Sequence, residues 1–93
     1  MRRSKLEMYI STLEALAYHG PLKLTGITYK AKMNWGQLKV ILADLIHKQL
    51  VEKRSIGKRK TIFFAATPRA RRTLSYFNEL KELLPLEDYN KRF

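Results

Sequence analysis

Leu24-Thr25-Gly26-Ile27-Thr28-Tyr29-Lys30-Ala31-Lys32-Met33-Asn34-Trp35-Gly36-Gln37-Leu38-Lys39-Val40-Ile41-Leu42-Ala43-Asp44-Leu45-Ile46-His47-Lys48-Gln49 is the stretch that decides the architecture of this 93-residue chain. Leu38, Ile41, Leu42, Leu45 and Ile46 recur on one helical face, which predicts a helix from Trp35 to about Gln49. Asn34 is a good N-cap for it, with Gln37 three residues later. Upstream, Leu24, Ile27 and Ala31 share a face and predict a short helix over those eight residues. Thr25, Gly26 and Thr28 are weak helix formers, so packing must hold it. Only Lys32, Met33 and the capping Asn34 separate the pair.

Working outward, Ser4-Lys5-Leu6-Glu7 reads as a capping box that opens a first helix. Leu6, Ile10, Leu13, Leu16 and Ala17 form its apolar face, and Gly20-Pro21 stops it. Beyond Leu50 the period changes. Val51 to Ile56 and Thr61 to Ala66 read as two strands around Gly57-Lys58-Arg59-Lys60, where Gly57 supplies the positive φ of a hairpin. Thr67 caps a last helix with Pro68 at its first position, running to about Leu84 and ending before Pro85. The class is therefore α+β and mostly α: three helices, a β-hairpin and a carboxy-terminal helix. The central pair has the outline of a helix-turn-helix.

Charge narrows the function. Lys and Arg number 19 against 8 Asp and Glu, a net charge of +11, and such an excess attracts polyanions. Lys53, Arg54, Lys58, Arg59, Lys60, Arg69, Arg71 and Arg72 fall in one stretch without an acidic residue, whereas a merely solvated face mixes both signs. No apolar run approaches the ~20 residues that span a bilayer. Met1-Arg2-Arg3-Ser4-Lys5 lacks the apolar core and cleavage site of a signal peptide, so a cytoplasmic, nucleoid-associated location is expected. There is no cysteine, and His19 and His47 have no matching carboxylate spacing, so no metal, cofactor or catalytic role is expected.

The groove of B-DNA, ~12 Å wide, admits one helix. With Leu38 inward, Gly36, Lys39, Val40, Ala43 and His47 point outward, flanked by Gln37 and Asp44. Gln37 suits adenine edges, Lys39 a guanine or phosphate, and Val40 a thymine methyl. Gly36 and Ala43 let the helix sit close. Arg54, Lys58, Arg59 and Lys60 are expected together at the projecting tip of the hairpin, in reach of phosphates or a minor groove. Tyr29, Lys30 and Lys32, with Arg2 and Arg3 on the amino-terminal arm, are further phosphate candidates, and Asn34 is a further DNA-contact candidate. Asp44 is unfavourable there, which limits groove entry to the first two turns. Trp35, at the edge of the stripe, is read as core packing in preference to contact with a base. Phe63 and Phe64 are adjacent, so one faces in and the other out.

Several segments together carry a resemblance: Ile27-Thr28-Tyr29-Lys30-Ala31, Asn34 with Leu38, Leu42 and Leu45, Leu50-Val51-Glu52, Thr67-Pro68, and Phe77-Asn78-Glu79-Leu80-Lys81-Glu82-Leu83-Leu84-Pro85. On these, the chain resembles the archaeal winged helix-turn-helix DNA-binding proteins of about ten kilodaltons. The resemblance implies double-stranded DNA as partner and a dimer joined through the carboxy-terminal helix. Gln49 stands where such proteins often carry Gly, and Ala70 where Gly often follows the Thr-Pro pair.

The expected organisation is a DNA-binding domain over residues 1–67, a dimerisation helix over 68–85 and a tail over 86–93. The last helix carries more apolar residues than one docking face needs, and Leu74, Phe77, Leu80, Lys81 and Leu84 are placed at a homodimer interface. The sequence leaves transcriptional regulator and chromatin-associated architectural protein both open. A winged-helix RNA-binding or protein-interaction module is the rival class.

Overall fold

The computed structural model describes residues 4–84. The order is α1 (Lys5–His19), α2 (Leu24–Ala31), α3 (Trp35–His47), β1 (Val51–Ile56), β2 (Thr61–Ala66) and α4 (Pro68–Leu83). Local rules set most boundaries. Ser4 Oγ accepts from Glu7 N–H at 3.0 Å while the Glu7 carboxylate accepts from Ser4 N–H at 3.2 Å, closing the expected capping box. Gly20 ends α1 at φ 78. Thr67 Oγ1 accepts from Ala70 N–H at 3.2 Å, with Pro68 next in the helix.

β1 and β2 pair antiparallel, Val51 opposite Ala66 and Ile56 opposite Thr61. Gly57 (φ 83) and Lys60 (φ 52) both adopt left-handed backbone in the turn. The other edge of β2 is met by Leu22, whose N–H donates to Phe64 C=O at 3.0 Å and whose C=O accepts from Phe64 N–H at 2.8 Å. That single bridge ties the α1–α2 connection to the hairpin root.

One core runs through all the elements: Leu13 and Leu16, Ile27 and Ala31, Leu38, Ile41, Leu42 and Leu45, Val51 and Phe64, then Ala70 and Leu74. Burying a large aliphatic or aromatic side chain stabilises by roughly 1.5–3 kcal/mol. The first half of α4 thus belongs to the same core as residues 4–67. Phe64 is the inward member of its pair, and Phe63 is half-buried under the Lys23 ammonium, 5.9 Å from its ring centroid.

Four expectations are corrected. α3 ends at His47, because Lys48 and Gln49 turn the chain toward β1. Leu6 and Ile46 are exposed, since the buried faces of α1 and α3 are narrower than their apolar sets. Trp35 is 53% exposed, as its position in the first turn of α3 projects beyond the packed stripe. Leu74 faces the chain's own core and is not on the outer side of α4. Among the described residues no helix is long and apolar enough to cross a membrane. Arg2, Arg3, Pro85 and the expected tail over 86–93 lie outside the described residues.

Candidate nucleic-acid interface

The turn between α2 and α3 is built around Lys32, which adopts left-handed backbone at φ 55, ψ 49 and caps α2 through its N–H to Thr28 C=O. Met33 N–H also reaches Thr28 C=O at 3.1 Å, and the Met33 side chain is buried, pinning the turn to the core. Asn34 Oδ1 accepts from Gln37 N–H at 2.8 Å, and Gln37 Oε1 accepts from Asn34 N–H at 3.4 Å. The expected base-reading Gln37 therefore spends its carbonyl on the cap and keeps its amide nitrogen for a ligand. Asn34 serves the helix itself.

Four side chains of α3 are buried and the opposite face is open: Gly36, Gln37, Lys39, Val40, Ala43 and His47 are all exposed. A Cβ on Gly36 would meet only Asn34 Oδ1, at 3.5 Å, so the protein's own packing does not require glycine there. Its effect is a flat outer surface. Tyr29 is exposed on α2, with the Lys30 ammonium 5.7 Å from its ring centroid. Lys32, at the turn, is exposed as well.

Asp44, expected to flank the outward face, is half-buried and engaged with α1. Its carboxylate accepts a short hydrogen bond from the Tyr9 hydroxyl, and the Lys5 and Lys48 ammonium groups each stand 4.0 Å away. Lys48 also lies over the Tyr9 ring at 5.9 Å. The Tyr9 hydrogen bond, aided by Lys48, Lys5 and His47, holds the Asp44 carboxyl below the usual carboxylate range against an opposing effect of burial. The same bond, with burial and the Asp44 charge behind it, pushes the Tyr9 phenol up. Sequence reading missed this cluster because its members lie 35 residues apart on different helices.

On the hairpin, Lys58, Arg59 and Lys60 stand exposed at the tip and make no ion pair among the described residues. Arg54 differs. It sits in β1, opposite Phe63, and its guanidinium holds the Glu52 carboxylate with Nη2 at 2.8 Å and Nε at 3.2 Å. An exposed pair of this kind contributes little to stability, so Glu52 is easily exchanged for a phosphate. On α4, Phe77 is half-buried with the Lys81 ammonium 5.1 Å from its ring centroid, while Leu80 and Leu84 are exposed.

Known structures share this fold. Sso10a-2, a DNA-binding protein from Sulfolobus solfataricus, superposes with a TM-score of 0.72 at 14% identity, over 87% of this chain and 81% of its own. A MarR-family transcriptional regulator from Silicibacter pomeroyi gives 0.73 at 16% identity, over 87% and 53%. Bordetella bronchiseptica BpsR, whose DNA binding is regulated by 6-hydroxynicotinic acid, gives 0.71 at 17%, over 82% and 54%. The chain spans about half the length of the last two. Identities this low establish likeness of fold alone. A comparison with curated proteins finds no match. The model of the winged helix-turn-helix family matches residues 2–84, which takes in all four helices and the hairpin. By its own sequence, then, as well as by its fold, this chain belongs to the winged helix-turn-helix family.

Proposed function

We propose that this chain binds double-stranded DNA without catalysing a reaction, with α3 in the major groove and the hairpin wing on the backbone or minor groove. One observation carries the reading: the open, capped face of α3 and the acid-free cationic tip at 58–60 occur on one small domain of net charge +11. The Sulfolobus solfataricus neighbour, named as a DNA-binding protein, and the MarR-family regulator support it by analogy.

In this reading the Gln37 amide nitrogen and Lys39 meet base edges or phosphate, Val40 meets a thymine methyl, and Gly36 allows close approach. Tyr29, Lys30, Lys32, Arg54, Lys58, Arg59 and Lys60 hold the backbone. A second copy meets the outer face of α4 at Phe77, Leu80, Lys81 and Leu84, presenting two reading helices to one duplex. The role is that of a transcriptional regulator or a chromatin-associated architectural protein.

Competition at equal salt between labelled duplex DNA and structured RNA tests the class. Duplex should win, and log K should fall with log salt at about −0.9 per phosphate neutralised. Preferred capture of RNA, or duplex binding indifferent to salt, would sink the proposal.

A further inference from the structure

Trp35 is the only tryptophan of the chain and is 53% exposed in the first turn of α3. Among the described residues its indole N–H donates to no acceptor. Lys39, one turn further along α3, shares its side of the helix and is exposed. There is no acidic residue in that first turn. Tyr29, 79% exposed and beside Lys30, presents a second amphipathic aromatic on the preceding helix. A tryptophan left half in water forgoes much of its burial energy, and it is favoured where a ring can pack while its N–H finds an anion or carbonyl.

We infer that Trp35 is a direct DNA-contact residue: its indole ring packs on the sugar edge beside the major groove and its N–H donates to a phosphate oxygen. The inference rests on the reading of α3 as the groove helix, and it assigns that helix a neutral phosphate donor. The physical consequence is specific. An ammonium that reaches a phosphate releases condensed counterions and steepens the salt dependence, whereas an uncharged N–H adds affinity without altering it. Trp35 and Lys39, neighbours on one helix, should therefore be separable by salt alone.

The chain carries its own probe. In titrations of the unmodified protein with a fluorescently labelled 20-base-pair duplex, label anisotropy reports binding and tryptophan emission reports Trp35. Both should follow one isotherm. Trp35→Phe keeps an aromatic ring and removes the N–H; with its far-ultraviolet circular dichroism unchanged, it should bind roughly tenfold more weakly at every salt concentration, with the slope intact. Lys39→Ala should instead flatten the slope by about 0.9. Duplex binding with unaltered Trp35 emission, or with Trp35→Phe as tight as the parent, overturns the inference and leaves DNA binding standing. Absence of any duplex binding at low salt overturns the underlying reading itself.

Discussion

Gln49 sits at φ 62, in the left-handed region that is costly for a residue with a side chain, by about 1–2 kcal/mol. The chain accepts this because the step from α3 into β1 is closed around it. Gln49 N–H donates to Ile46 C=O at 3.0 Å, and Gln49 C=O accepts from Thr67 Oγ1 at 2.9 Å. Gln49→Gly should therefore raise the unfolding free energy by about 0.5–1 kcal/mol, after the larger unfolded-state entropy of glycine is subtracted. Urea denaturation measures it, and a less stable glycine variant would show the strain argument to be wrong. The glycine often found here in the resembling proteins acquires its physical reason. At this scale the caps at Ser4, Asn34 and Thr67 were legible because a cap is a rule over four neighbouring residues. The left-handed Lys32 and Lys60 were not, since nothing in a lysine announces positive φ; closure of the surrounding turn imposes it.

The elements were legible where periodicity alone decides them, as the matched bounds of α2, β1 and β2 illustrate. Periodicity gives the centre of a buried face and not its width. Leu6 and Ile46 therefore join their stripes on paper and stay in water in the fold. Trp35 belongs to the same class of error, and Leu22 escaped notice because one bridging residue has no alternation to read. The basic tip of the hairpin was plain from its residues, but the Glu52 partner of Arg54 needs strand geometry, which puts residues two apart on one side. If the wing holds phosphates, Lys58→Ala combined with Arg59→Ala should weaken binding to every duplex sequence alike and flatten the salt slope by about 0.9 for each phosphate no longer neutralised. Lys60→Gly suits the third position, because φ 52 already favours glycine there. A salt series in fluorescence anisotropy decides the matter, and unchanged affinity would remove the wing from the DNA-binding surface.

Across the whole molecule, α4 is the element with most left over. Ala70 and Leu74 complete the core, while Tyr76 (68%), Leu80 (47%), Leu83 (75%) and Leu84 (49%) remain exposed. Under the proposed pairing, this face is the one a second copy covers. Sedimentation equilibrium at micromolar concentration should find a concentration-dependent dimer of the 11.0 kDa chain, and Leu80→Asp with Leu83→Asp should return it to monomer with the fold intact. Phe77 and Leu74 are poorer test positions, being half-buried and buried. A clean monomer of the unmodified chain at all concentrations would refute the pairing. Dimer or not, the Tyr9–Asp44 bond joins α1 to α3, and α1 packs against α4 as well. One residue of slippage about the axis of α3 is a rotation of roughly 100°, enough to swing Lys39 and Val40 off the outer face. The bond resists that roll, so the azimuth of α3 is coupled through α1 to α4. If two copies pair through α4 and each lays α3 in a groove, as proposed, the angle between the two helices becomes a mechanical constant of the protein, and the duplex is the compliant partner that must twist or bend to meet it.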